Sequence, residues 1–67
     1  MKTLGSRLEK LRDNQNHTRD ELANYLGVTS KVVYNLEKDI SEPSINSIRL
    51  ICLKYKVSAD YLLFGEK

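Results

Sequence analysis

Sixty-seven residues, 40% of them hydrophobic and 30% charged, with a formal net charge of +2, make one small folded domain and leave no room for a separate enzyme domain beside it. A single cysteine excludes an internal disulfide framework and a cysteine-based zinc site, and no apolar run approaches the roughly 20 residues that span a bilayer. Met1-Lys2-Thr3 leads into no signal-peptide core, so a cytoplasmic location is expected. The charge permits a nucleic-acid partner without demanding one. Over residues 1–19, Lys2, Arg7, Lys10, Arg12 and Arg19 outnumber Glu9 and Asp13, which concentrates positive potential there; a solvated helix face would give the same pattern.

Leu4, Leu8 and Leu11 recur at helical spacing and predict a first helix over about 3–13, with Arg7, Glu9, Lys10 and Arg12 mostly on its outer side. Asn14-Gln15-Asn16-His17 is a polar, turn-prone connection, and His17 is expected at the surface and not as a ligand. Thr18 and Glu21 form a capping-box pattern, so the second helix starts at Arg19. Leu22, Ala23 and Leu26 give it one apolar face, and Gly27 stops it by accepting the left-handed conformation of a sharp reversal. Thr29, after the apolar Val28, can cap a third helix whose Val33 and Leu36 point inward. Ser30, Lys31, Tyr34, Asn35 and Lys38 then point outward.

The Lys38–Pro43 stretch breaks the helical pattern and forms an exit loop. Ser44 caps a fourth helix with Ile45, Ile48, Ile51, Cys52 and Tyr55 as its buried stripe. Asn46, Ser47, Arg49, Lys54 and Lys56 face solvent, while Leu50 and Leu53 exceed what that stripe needs. Cys52 is read as a small core residue. Ser58 caps a short fifth helix, Asp60 suits its positive end, Leu62 closes the core and Gly65 ends it. No strand, internal repeat or low-complexity segment is predicted.

Residues 18–37 with these flanks resemble the helix-turn-helix of the Cro/lambda-repressor-type (XRE) DNA-binding family. Leu22, Ala23, Leu26, Gly27, Val28, Val33, Leu36 and Glu37 stand where that family places its apolar, small, turn and acidic residues. Pro43-Ser44 and Val57 to Leu63 match its later landmarks. The resemblance covers nearly the whole chain. It implies an all-α fold, a compact five-helix bundle forming a single domain over 1–67 with the helix-turn-helix at about 18–38, whose third helix enters the major groove while the second lies across the backbone. The implied function is a sequence-specific double-stranded DNA-binding transcriptional regulator, a repressor of phage or mobile-element type. The alternative is an antitoxin or restriction-modification controller using the same fold.

From that resemblance Ser30, Lys31, Val32, Tyr34 and Asn35 become the base-contacting set. Lys31 suits guanine O6 and N7, and Asn35 suits adenine. Val32 either meets a thymine methyl or is partly buried, and Tyr34 either touches DNA or shields its helix. Thr18, Arg19, Thr29, Lys38 and Arg12 are the phosphate candidates. Arg12 and Glu37 resemble a family ion pair, which makes Arg12 structural first and a phosphate contact second. The chain departs from the family at Arg19, where glutamine is usual, at Asp39, where glycine is common, and at Ile40, Ser41 and Glu42, where basic residues are frequent. Leu53, Tyr61, Leu63 and Phe64 offer a homodimer interface for a two-fold-related operator, unless Tyr61 and Phe64 pack back onto the first helix or the chain is a domain cut from a longer one whose C-terminal part covers them. No cofactor, metal, small-molecule ligand or membrane partner is expected, and His17 has no nucleophile or acid constellation around it that would suit an enzyme.

Overall fold

The computed structural model describes residues 3–65; Lys2, counted above among the basic residues of 1–19, lies outside the described residues. Its element order is α1 (Leu4–Asn14), α2 (Arg19–Leu26), α3 (Ser30–Glu37), α4 (Ile45–Tyr55) and α5 (Ala59–Phe64). No strand occurs among the described residues.

Each helix starts on a hydroxyl. Thr3, Thr18, Thr29, Ser44 and Ser58 all take extended backbone angles and accept a hydrogen bond from an amide in the first turn they precede. Two of these caps are reciprocal. Thr18 Oγ1 accepts from Glu21 N at 3.1 Å while the Glu21 carboxylate accepts from Thr18 N at 2.7 Å, and Thr3 with Ser6 makes the same exchange. The Glu21 bond holds that carboxyl below the ordinary carboxylate range. Gly27 ends α2 at φ 75°, and α3 begins three residues later at Ser30. A tight connection of this kind joins two helices at a steep angle and fixes the second by the first.

The core is Leu8 from α1, Leu22, Ala23 and Leu26 from α2, Val33 and Leu36 from α3, Ile51 from α4 and Leu62 from α5. α2 and α3 pack most extensively on each other, with α1 against α3 and α5. Helix α1 approaches α3 so closely that a Cβ on Gly5 would stand 2.5 Å from the Leu36 carbonyl oxygen and 2.6 Å from that of Glu37. The Asp39 carboxylate fastens the same junction, accepting from Gly5 N at 3.0 Å and Thr3 Oγ1 at 2.6 Å. Asp39 takes a left-handed φ of 60°, the conformation for which glycine is the usual choice.

Several side chains lie elsewhere than the sequence reading places them. Arg7, expected on the outer side of α1, is buried; its Nε and Nη2 donate to the carbonyls of Leu62 and Leu63 at 2.9 and 2.8 Å, tying α1 to the end of α5. Arg12 is buried as well. In α4 Ile48, Ile51, Cys52 and Tyr55 face inward as the stripe requires, but Ser47 is buried, bonded to its cap Ser44, and Ile45 is 77% exposed. Ile45 is the first helical residue, so its side chain leans beyond the helix start, where no turn of α4 backs it. Lys54 is half-buried and lies 4.6 Å from the centre of the Tyr25 ring. His17 is half-buried beside Tyr55, their ring centroids 6.4 Å apart.

Candidate nucleic-acid interface

Val33, Leu36 and Glu37 fix the inward side of α3. At about 100° per residue, Lys31, Tyr34, Asn35 and Lys38 must then share the opposite side. Lys31, Tyr34 and Lys38 are exposed and Asn35 is half-exposed. Val32 lies on the flank with 37% of its surface exposed. Ser30 sits on the other flank, where its hydroxyl donates to Asp20 Oδ1 of α2. The outer strip thus offers a cation, a phenol, a carboxamide and a second cation over two turns, the donor and acceptor types that discriminate base edges in a major groove.

Glu37 is what holds this strip in place. Its side chain has no exposed surface, and burying a carboxylate is costly unless it is paired. Arg12 Nε donates to Glu37 Oε2 at 2.6 Å and Arg12 Nη2 to Oε1 at 3.1 Å, while Arg19 Nε donates to the same Oε1 at 2.8 Å. These bonds to Glu37 hold the Arg12 guanidinium above its ordinary pKa despite its burial. Arg12 Nη1 also donates to the His17 carbonyl at 2.8 Å and lies 3.3 Å from Oδ1 of the exposed Asp13, so every nitrogen of that guanidinium already has a partner within the protein. The phosphate contact expected of Arg12 is therefore withdrawn: its role is to lock α1, the α1–α2 connection and α3 together.

Arg19 differs. A third of its side chain is exposed, and its guanidinium carbon lies 5.0 Å from the centre of the Tyr34 ring. Lys38 Nζ approaches the same ring at 6.0 Å. Tyr34 is thus flanked by both cations. Thr18 and Thr29 remain exposed, each with its hydroxyl accepting a cap bond. Glu9, which the sequence reading left as an ordinary outer residue of α1, reaches Arg19 Nη2 at 3.5 Å and Lys38 Nζ at 3.7 Å. No sequence signal marks these contacts, because they join residues of three helices.

Of the residues expected at a dimer interface, Leu53 is 66% and Phe64 69% exposed, and Tyr61 and Leu63 are half-buried. Cys52 is half-buried, with its thiol pKa pushed up by burial, a state in which it is a poor nucleophile. Among the described residues no His, Cys, Asp and Glu side chains are grouped to hold a metal ion, and no helix is long and apolar enough to cross a membrane. Two clefts of about 160 and 200 Å3 share Leu4, Glu42 and Pro43 in their walls; small-molecule pockets are larger, about 300–1,000 Å3.

A family model described as helix-turn-helix matches residues 8–62. The HTH-type transcriptional regulator ImmR of Bacillus subtilis (strain 168) is 33% identical over 61 residues, 91% of this chain and 48% of ImmR, so the chain spans about half the length of that relative. The P22 c2 repressor, solved in complex with synthetic operator 9T, superposes with a TM-score of 0.92 over 98% of this chain and 100% of that one at 23% identity; this likeness establishes the repressor-type fold. The N-terminal DNA binding domain of SinR from Bacillus subtilis superposes with a TM-score of 0.77 over 88% of this chain and 87% of its own, at 25% identity.

Proposed function

The chain belongs to the helix-turn-helix family, and on that premise we propose that it is a sequence-specific double-stranded DNA-binding transcriptional regulator, a repressor, that reads the major groove with the outer strip of α3. The observation that carries this reading is the placement of Lys31, Tyr34, Asn35 and Lys38 on one solvent-facing side of a helix whose inner side is fixed by Val33, Leu36 and the doubly paired Glu37. The regulator's name borne by ImmR and the operator DNA in the P22 c2 structure support it. So does the DNA present in a structure of SinR, superposing with a TM-score of 0.78.

In this reading Lys31 and Asn35 pair with base edges. Ser30 and Val32 border them, Ser30 after releasing Asp20, and Val32 against a thymine methyl. Tyr34 packs on the sugar-phosphate edge. Thr18, Arg19, Thr29 and Lys38 take phosphates, with the positive ends of α2 and α3 behind the two threonines. Residues 1–67 act as one DNA-binding unit, without enzymatic activity and in the cytoplasm. A second copy, joined through Leu53, Tyr61, Leu63 and Phe64, supplies the other half of a two-fold site, with half-site centres about 34–36 Å apart or a multiple of that.

Rounds of selection from a random duplex pool test the proposal. The expected result is enrichment of one two-fold-related motif; a pool that stays random after repeated rounds would overturn it.

A further inference from the structure

The two cations that flank Tyr34 converge on a single carboxylate. Arg19 Nη2 meets Glu9 Oε2 and Lys38 Nζ meets Glu9 Oε1, so each oxygen of one side chain takes one of the charges offered for the DNA backbone. About a third of the Glu9 side chain is exposed, as is a third of Arg19 and somewhat more of Lys38, so the pairs are accessible from solvent and open to exchange. Arg19 keeps its second bond, to Glu37, and stays where it is whether or not Glu9 holds it. A carboxylate between an arginine and a lysine occupies the position that a phosphate oxygen would take, with the same charge sign and similar hydrogen-bonding oxygens.

We propose that Glu9 is an attenuating residue: it fills the anion site formed by Arg19 and Lys38 when DNA is absent, and a backbone phosphate must displace it. The inference rests on the DNA-binding reading and adds to it a residue on α1 that sets binding strength without touching a base. Three consequences follow from the chemistry. Removing the Glu9 charge strengthens DNA binding. The gain is equal on specific and unrelated duplexes, because phosphate contacts carry no sequence information. It shrinks as salt screens the pairs.

The experiment compares the wild type with Glu9→Gln and with Asp60→Asn, which makes the same change in net charge at an exposed position of α5 that belongs neither to the nucleic-acid strip nor to the four residues proposed to join two copies. Circular dichroism confirms that each is folded. The probes are the duplex enriched by the wild type, a scrambled duplex of equal length, and a heparin column. Two exposed ion pairs are worth roughly three- to tenfold in affinity together. The expected result is that Glu9→Gln binds both duplexes tighter by that factor and elutes from heparin at higher salt than Asp60→Asn. In a Lys38→Gln background the gain from Glu9→Gln should shrink markedly, an energetic coupling that a purely structural role for Glu9 would not give. Equal behaviour of Glu9→Gln and Asp60→Asn, weaker binding by Glu9→Gln, or an undiminished gain without Lys38 would each overturn the proposal. If the wild type enriches no duplex, the functional reading fails, while the heparin comparison still decides the role of Glu9.

Discussion

Gly5 and Gly27 are both glycines for reasons of geometry, but the reasons differ. At Gly27 the backbone lies at φ 75° with nothing within 4 Å of an added Cβ, so an alanine there should cost about 1–2 kcal/mol through backbone strain alone. Asparagine, which tolerates that region, should recover part of the loss. At Gly5 the backbone is helical and the obstacle is the wall formed by the Leu36 and Glu37 carbonyls. Gly5→Ala should destabilise by about 1–3 kcal/mol despite its better helix propensity, by prying α1 from α3, and Gly5→Asn should be worse still. Denaturant midpoints of the four variants would show this contrast. The turn glycine was legible in the sequence, since it follows an apolar periodic run; Gly5 was not, because its constraint comes from a helix more than thirty positions away. Asp39 is the intermediate case. Its place in the exit loop could be read, but the reason an aspartate stands at a left-handed position is the pair of bonds it accepts from Thr3 and Gly5.

The helices themselves follow closely from the chain's local chemistry, since each begins on a Thr or Ser whose acceptor role depends only on neighbouring residues. Charge, and not periodicity, misplaces two residues of an inward stripe. Arg7 and Arg12 lie at helical spacing with Leu4, Leu8 and Leu11 and so belong on the buried side; their charge argued for the outside, and buried carbonyl and carboxylate partners decided otherwise. The outer strip of α3 was legible for the opposite reason, because its inner neighbours are plainly apolar. The three-helix lock gives an asymmetric prediction. Glu37→Leu leaves Arg12 buried without its carboxylate and should cost about 3–5 kcal/mol, whereas Arg19→Gln, on a partner one-third exposed, should cost under about 1 kcal/mol. Thermal melts of the two variants provide the check, with the larger loss enough to unfold much of a domain this small. The cap of α2 adds a pH dependence. Because the folded Glu21 carboxyl is held below its ordinary value, its contribution is present above about pH 4.3, the unfolded value, and is lost as pH falls through the lower folded value. Stability of Glu21→Gln should therefore fall less steeply than that of the wild type on the acid side.

For the molecule as a whole, two of the surfaces left after the core is closed bear on binding: the polar strip of α3 and the apolar side chains of Leu53 and Phe64, while Ile40 and Ile45 are exposed apart from both. If the second surface joins two copies, Leu53→Ser and Phe64→Ser together should leave the melting temperature within a few degrees of wild type, since neither residue is in the core, yet weaken binding to a two-fold duplex far more than to a single half-site; gel-shift titrations on the two duplexes would measure it. On the proposed reading, sequence selectivity resides in a handful of side chains on the outer strip of α3 and not in the scaffold that carries them. The most direct test of that claim is the ratio of affinities for the selected duplex and a scrambled one, measured for the wild type and for Lys31→Ala/Asn35→Ala at one salt concentration. Each lost base contact should reduce the ratio by about 1–3 kcal/mol, so the double variant should bind both duplexes almost alike while keeping most of the wild type's affinity for the scrambled one. An unchanged ratio in the double variant would contradict the account.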